Sequence, residues 1–196
     1  MIMDEKSFSR FKIIKVQDIF VLTIIAFISF AIESTIGLFL IPIVPIPLVG
    51  GLLSGFLDAI IIFTGVYSIP RIGAAFYFGL LLLSLSTMTP SFGPPGIYKI
   101  MIGIGLGLIC EIILLIFGRK DYVYILGTAV AFGASIPMTY LAWIQAQISV
   151  EVLRGYLTSF TAAYAVIGGI GAYLGLILYK KRLSKYALVR RIREGV

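Results

Sequence analysis

Three carboxylates, Glu33, Asp58 and Glu111, stand inside long apolar stretches of this chain. A charge at the middle of a bilayer costs on the order of 3 kcal/mol. Such a side chain must be neutral, paired with another helix, hydrogen-bonded to a hydroxyl, or turned to a wet cavity, and a functional role is the first expectation. The chemistry open to these groups is narrow. Paired carboxylates can move protons or hold a cation, but these three are scattered singly, with no Asp-x-x-Asp grouping, and metal sites of lone carboxylates without histidine are uncommon. The chain has no histidine and one cysteine, Cys110, so a conventional zinc site, haem ligation through histidine and a Ser-His-Asp triad all lack their parts. An intrachain disulfide is impossible. Cys110 lies in an apolar helical run and reads as a small buried hydrophobe.

Polar and aromatic side chains gather near the ends of the last three apolar segments. Tyr98 opens the fourth. Tyr140, Trp143, Gln145 and Gln147 close the fifth, and Tyr156, Thr158, Ser159, Thr161 and Tyr164 open the sixth. Trp and Tyr near a membrane boundary ordinarily form an aromatic belt. That reading suits Tyr156 and serves Trp143 as well as a pocket role does, whereas Tyr140 and Tyr164 lie deeper. Together these positions predict a pocket with carboxylates at its floor and aromatics above. It would suit a small, flat molecule with amino or cationic groups, stacked on rings and held by a carboxylate.

The elements that must position these groups follow from composition. Of 196 residues, 60% are hydrophobic and 13% charged, and the mean hydropathy is +1.07. That leaves too little polar surface for a soluble globule of this length. Six segments have the roughly 17–25 residues a bilayer crossing takes: Asp18–Leu40, Leu48–Ile69, Ile72–Thr89, Ile97–Phe117, Tyr122–Gln147 and Leu153–Tyr179. Prolines and glycines separate them, as at Pro42, Pro45, Pro47, Pro70 and the run Gly93-Pro94-Pro95-Gly96. The first apolar stretch is too long for a cleavable signal, and five more follow it.

Lys and Arg set the direction. With the N-terminus inside, fourteen of the sixteen basic residues fall on the inner side and only Lys99 and Arg154 on the outer. This asymmetry predicts both ends in the cytoplasm. The expected fold is therefore an all-α, polytopic membrane protein of six transmembrane helices. One domain covers 1–179, with a short cytoplasmic N-terminal segment, and a basic cytoplasmic tail covers 180–196. The tail is either an amphipathic surface helix or a solvated stop-transfer segment. The net charge of +7 flanks apolar spans, which argues against nucleic acid as a partner. The pocket then opens outward, with loops 41–47 and 90–96 over its mouth as possible gates.

Glycines mark helix packing. Gly103, Gly105 and Gly107, and later Gly168, Gly169, Gly171 and Gly175, put small residues on overlapping helix faces, where backbones can approach closely. The first group superficially resembles a dinucleotide-binding fingerprint, but no strand precedes it.

From about Pro47 to Ile113, roughly a third of the chain, the sequence resembles the substrate-binding S components of energy-coupling factor (ECF) vitamin importers. The resemblance rests on Gly73-Ala74-Ala75 at the start of the third segment, on the Gly-Pro-rich loop, and on Gly103-x-Gly105-x-Gly107-x-x-x-Glu111. It is similar to the branch associated with thiamine and its hydroxymethylpyrimidine precursor. It implies a non-enzymatic protein of the cell membrane that captures a small vitamin-like molecule from outside. It also implies a transmembrane coupling subunit and two ATPase subunits as partners, within membrane lipid and without a cofactor. Glu111 would hold the substrate's cationic group, with Trp143, Tyr140 and Tyr164 stacking and Tyr98, Glu33 and Gln147 completing the site. One departure stands out. Many S components carry Ala-x-x-x-Ala on the first span, and here only Ala26, Ser29 and Ala31 occur, without that spacing.

Two rival readings use the same residues. A lipid-modifying membrane enzyme would employ Glu33, Asp58 and Glu111 as acid, base or metal ligands. A structural protein would use them only to join helices.

Overall fold

The computed structural model describes residues 12–40, 49–89 and 94–186. The loop 41–47, residues 90–93 of the second loop and the tail beyond residue 186 lie outside the described residues. Among those described the chain is helical, with one isolated parallel bridge between Ile13 and Ile72. The helices are α1 (Val16–Leu40), α2 (Val49–Ser68), α3 (Ala74–Leu85), α4 (Tyr98–Phe117), α5 (Asp121–Gln145) and α6 (Glu151–Lys181). Short 3-10 turns at Ser86–Met88 and Leu183–Lys185 extend α3 and α6.

Each apolar segment expected from sequence corresponds to one of these helices, with ends shifted by a few residues, but they differ in reach. Val16–Ile36, Tyr98–Phe117, Asp121–Gln145 and Arg154–Lys185 are long and apolar enough to cross a membrane. Leu52–Ser68 and Ala74–Met88 are shorter apolar helices. Helix α3 has 12 residues, a rise of about 18 Å at 1.5 Å per residue, against a hydrocarbon core of about 30 Å.

Two glycines end or start helices where other residues would be strained. Gly73, with φ of 92°, precedes α3 and closes the turn from α2. Gly118, with φ of 81°, ends α4. Only glycine adopts such angles without steric cost. The connectors Ile69–Gly73, Gly118–Lys120 and Ala146–Val150 are short, so the helices they join run antiparallel.

Each helix packs chiefly on two others, in the cyclic order α1, α2, α6, α5, α4, α3 and back to α1. Small residues allow the closest approaches. A Cβ on Gly103 would stand 2.5 Å from the Gly79 carbonyl oxygen, and one on Gly107 would stand 2.6 Å from Phe76 Cα. Helices α3 and α4 therefore meet backbone to backbone, as the glycine spacing predicts. Gly168 faces Phe132 on α5, while Gly171 and Gly175 face α2, so α6 is wedged between those two helices.

The ordinary burial pattern is inverted. Phe20 is 67% exposed and Ile116 69%, while Glu33, Asp58 and Lys99 are wholly buried. The core is otherwise apolar, with Leu22, Phe63 and Phe78 buried in it, and so broad an apolar exterior around buried charges is stable only where the surroundings are themselves apolar.

Candidate functional site

The antiparallel packing sorts the polar groups to two ends of the bundle. One end holds the start of α1, the α2–α3 and α4–α5 turns and the end of α6. Here every interior charge is paired. Asp18 bonds Arg71 at 3.0 Å, each side chain 3% exposed. Glu111 is ion-paired with Arg119, accepts from the Ala75 backbone N–H at 3.2 Å, and the same guanidinium donates to the Tyr124 hydroxyl at 3.3 Å. Asp121 accepts from Tyr67 at 2.6 Å and from Lys180 at 2.5 Å. The Ile14 N–H donates to Ile72, tying the chain before α1 to the α2–α3 turn.

The other half is built differently. Ser29 on α1 donates to Asp58 Oδ1 on α2 at 2.5 Å. Ser86, at the end of α3, donates to Glu33 Oε2 at 3.2 Å. Lys99, in the first turn of α4, donates to the carbonyls of Ser86 at 3.1 Å and Thr89 at 2.5 Å, so its ammonium caps the end of α3 where helix carbonyls are left over. Glu33 lies within electrostatic reach of both Lys99 and Asp58. Tyr164, fully buried on α6, lies within electrostatic reach of both carboxylates. Asp58 Oδ2 has no hydrogen-bond partner among the described residues, an arrangement that leaves one buried acceptor open.

Aromatics pack beside this cluster. Tyr98, Trp143 and Tyr164 are buried in one group with Ile102, Phe132 and Ile136, and Tyr140 packs against it half-buried. Tyr98 donates its hydroxyl proton to the Pro94 carbonyl at 2.5 Å. The Trp143 indole N–H lies near the Tyr98 hydroxyl but outside hydrogen-bonding geometry, and it has no partner among the described residues. The site thus offers one open carboxylate oxygen and one open N–H donor, two carboxylates, a lysine and three rings.

The structure brings Glu33, Tyr98, Trp143 and Tyr164 into one half of the bundle, with Tyr140 at its margin. It does not bring Glu111 there. Glu111 lies two helical turns before Gly118, and Arg119 folds back onto it, so the chain's own guanidinium occupies the place expected for a cationic substrate. Gln147 sits exposed in the α5–α6 connector with φ of 56° and also stands apart. Tyr156 is 54% exposed and meets Phe160 edge to face, on the outer surface where belt residues belong. Three groups were not among the expected site residues: Asp58, Lys99 and the serines that serve the carboxylates. Lys99 carried a signal in sequence, since it falls inside an apolar span rather than in the connector before it.

A cavity of about 50 Å³ lies among α2, α3, α4 and α5. Its lining is apolar, including Phe78, Leu82, Leu106 and Phe132, and none of the expected site residues lines it. Such a lining offers a polar solute few hydrogen-bond partners. Among the described residues no group of three or more His, Cys, Asp or Glu side chains could hold a metal ion.

No known protein family, curated protein or solved structure matches the chain.

Proposed function

We propose that this chain is a multi-pass protein of the cell membrane that captures a small solute bearing amino or cationic groups. The observation carrying this reading is the buried Glu33–Asp58–Tyr164 group with an open acceptor at Asp58 Oδ2. Helix glue alone would use up both oxygens of so costly a carboxylate. Six apolar segments support six crossings, and the fourteen-to-two division of basic residues supports both ends in the cytoplasm. On that orientation the polar half lies toward the outside and the ion-paired end toward the cytoplasm. The shorter α2 and α3 complete their crossings within a ring of longer neighbours.

The finer reading is an S component of an ECF vitamin importer, working with a coupling subunit and two ATPases, and it rests on the resemblance across about a third of the chain. The cationic part of a thiamine-like ligand would meet Asp58 and Glu33 rather than Glu111. Trp143, Tyr98 and Tyr164 supply the stacking surface. Tyr98, Trp143 and Tyr164 are buried in one packed group, so admitting a ligand requires the outer ends of α4, α5 and α6 to part.

Trp143 is the single tryptophan, and its fluorescence reports on the site directly. Titration of the detergent-purified chain with thiamine or hydroxymethylpyrimidine is expected to quench it saturably. Glu33→Gln is expected to weaken that quenching while the helical circular dichroism stays unchanged. Saturable quenching that survives in both Glu33→Gln and Asp58→Asn would remove the site. Lipid turnover by the purified chain would favour the enzyme instead.

A further inference from the structure

On the membrane-facing side of α2, toward the ion-paired end, the ring is not filled. A groove of about 270 Å³ runs between α1 and α6 over Ile60, Ile61, Thr64, Gly65 and Ser68. Val21, Ile25 and Ile28 form one wall, and Leu178 and Leu183 form the other. Toward the end of α2 the floor is lowered by Thr64, Gly65 and Ser68, and a Cβ on Gly65 would stand 3.2 Å from the Ile25 methyls. The floor hydroxyls have no free donor for a polar guest, since Thr64 and Ser68 each donate to the carbonyl four residues back. From Ser68 to Ile60 the groove extends about 12 Å along α2 at 1.5 Å per residue.

The mouth of this groove is basic. Leu183 belongs to the 3-10 turn after α6, which Ser184 steadies by donating to the Lys180 carbonyl at 2.9 Å. Lys181, Arg182 and Lys185 surround Leu183 and are exposed. Lys180 is committed to Asp121, but none of these three has an ion-pair partner among the described residues. An apolar trough ending at exposed cations matches an acyl chain ending at a phosphate.

We propose that the groove over α2 seats one acyl chain of an anionic phospholipid, whose headgroup phosphate is held by Lys181, Arg182 and Lys185. This rests on the membrane reading above, because the groove must open to lipid with its basic mouth at the cytoplasmic headgroup level. The lipid buttresses α2 at its shortest exposed face and anchors the turn at the end of α6.

The test begins with an alkaline carbonate wash of membranes holding the full chain. Release into the supernatant would overturn the membrane reading itself. Retention leaves the lipid site to be judged alone, by native mass spectrometry of the purified chain with equimolar phosphatidylglycerol and phosphatidylcholine. Wild type is expected to retain the anionic lipid preferentially, and each basic residue removed lowers that preference about fivefold. The triple variant Lys181→Gln, Arg182→Gln, Lys185→Gln is expected to bind both lipids equally. Ile61→Trp, which fills the trough, is expected to lower both, with Thr64→Leu as a second filling variant should the first not fold. Equal binding by wild type, a preference that survives the triple variant, or undiminished lipid in both folded filling variants would overturn the proposal. So would a second copy of the chain on this face in place of lipid.

Discussion

The two halves of this bundle handle buried charge in opposite ways. At the end near Arg71 and Arg119, carboxylate and guanidinium face each other, and Asp18, Glu111 and Asp121 are all answered by a cation. Around Glu33 and Asp58 the first partners are serine hydroxyls, and the nearby lysine donates to backbone carbonyls. Paired charges in an apolar setting hold elements in one arrangement, and removing one partner is costly. Asp58, whose Oδ2 has no hydrogen-bond partner among the described residues, keeps capacity to accept from a guest. On the proposed reading, the difference separates a fastening from a site.

Five variants break or sharpen this contrast, and the largest effect is expected at the fastened end. Arg71→Ala strands Asp18 at 3% exposure and should cost about 3–5 kcal/mol, read as a large fall in Tm in detergent. If Tm holds, the pair is not a fastening. Arg119→Ala should act in the same direction. Glu111→Gln should act less, about 1–2 kcal/mol, since the amide oxygen still accepts from Ala75 N–H. Solute affinity should be unchanged in both. A loss of affinity in Glu111→Gln without loss of stability would return Glu111 to the site.

Asp58→Asn tests the other half. It keeps shape and one acceptor while removing the charge, so Tm should move little and solute affinity should fall about tenfold, or 1.4 kcal/mol. A large fall in Tm with unaltered affinity would make Asp58 a fastening too. The smallest effect is expected for Lys180→Ala. Its pair with Asp121 is 55% and 44% exposed, and such pairs contribute below about 1 kcal/mol. A clear drop in Tm there would mean that the end of α6 is more deeply held than its exposure indicates.

Helix positions were legible in sequence because apolar length and the Gly and Pro breaks are local properties. The Gly103–Gly107 contact was legible for the same reason, since helical spacing puts both on one face toward α3. Glu33 was recognisable as a costly group and Tyr164 as a deep-lying aromatic. Their grouping with Asp58 was not, because it depends on α1, α2 and α6 being neighbours in the ring. The ion pair of Glu111 with Arg119 was not legible either, for a local reason. The turn at Gly118 returns Arg119 over the end of α4, and a positive φ leaves no trace in a hydropathy pattern.

Sequence alone determined that the chain is helical, that its helices are apolar outside, and that its few interior charges demand partners. Those conclusions follow from composition and from the cost of burying a charge, which does not depend on fold. Only the tertiary structure decided which partner each charge receives. Pairing is a matter of which helix faces meet and how far along each axis a side chain lies. That register placed a guanidinium beside Glu111 and a serine beside Asp58.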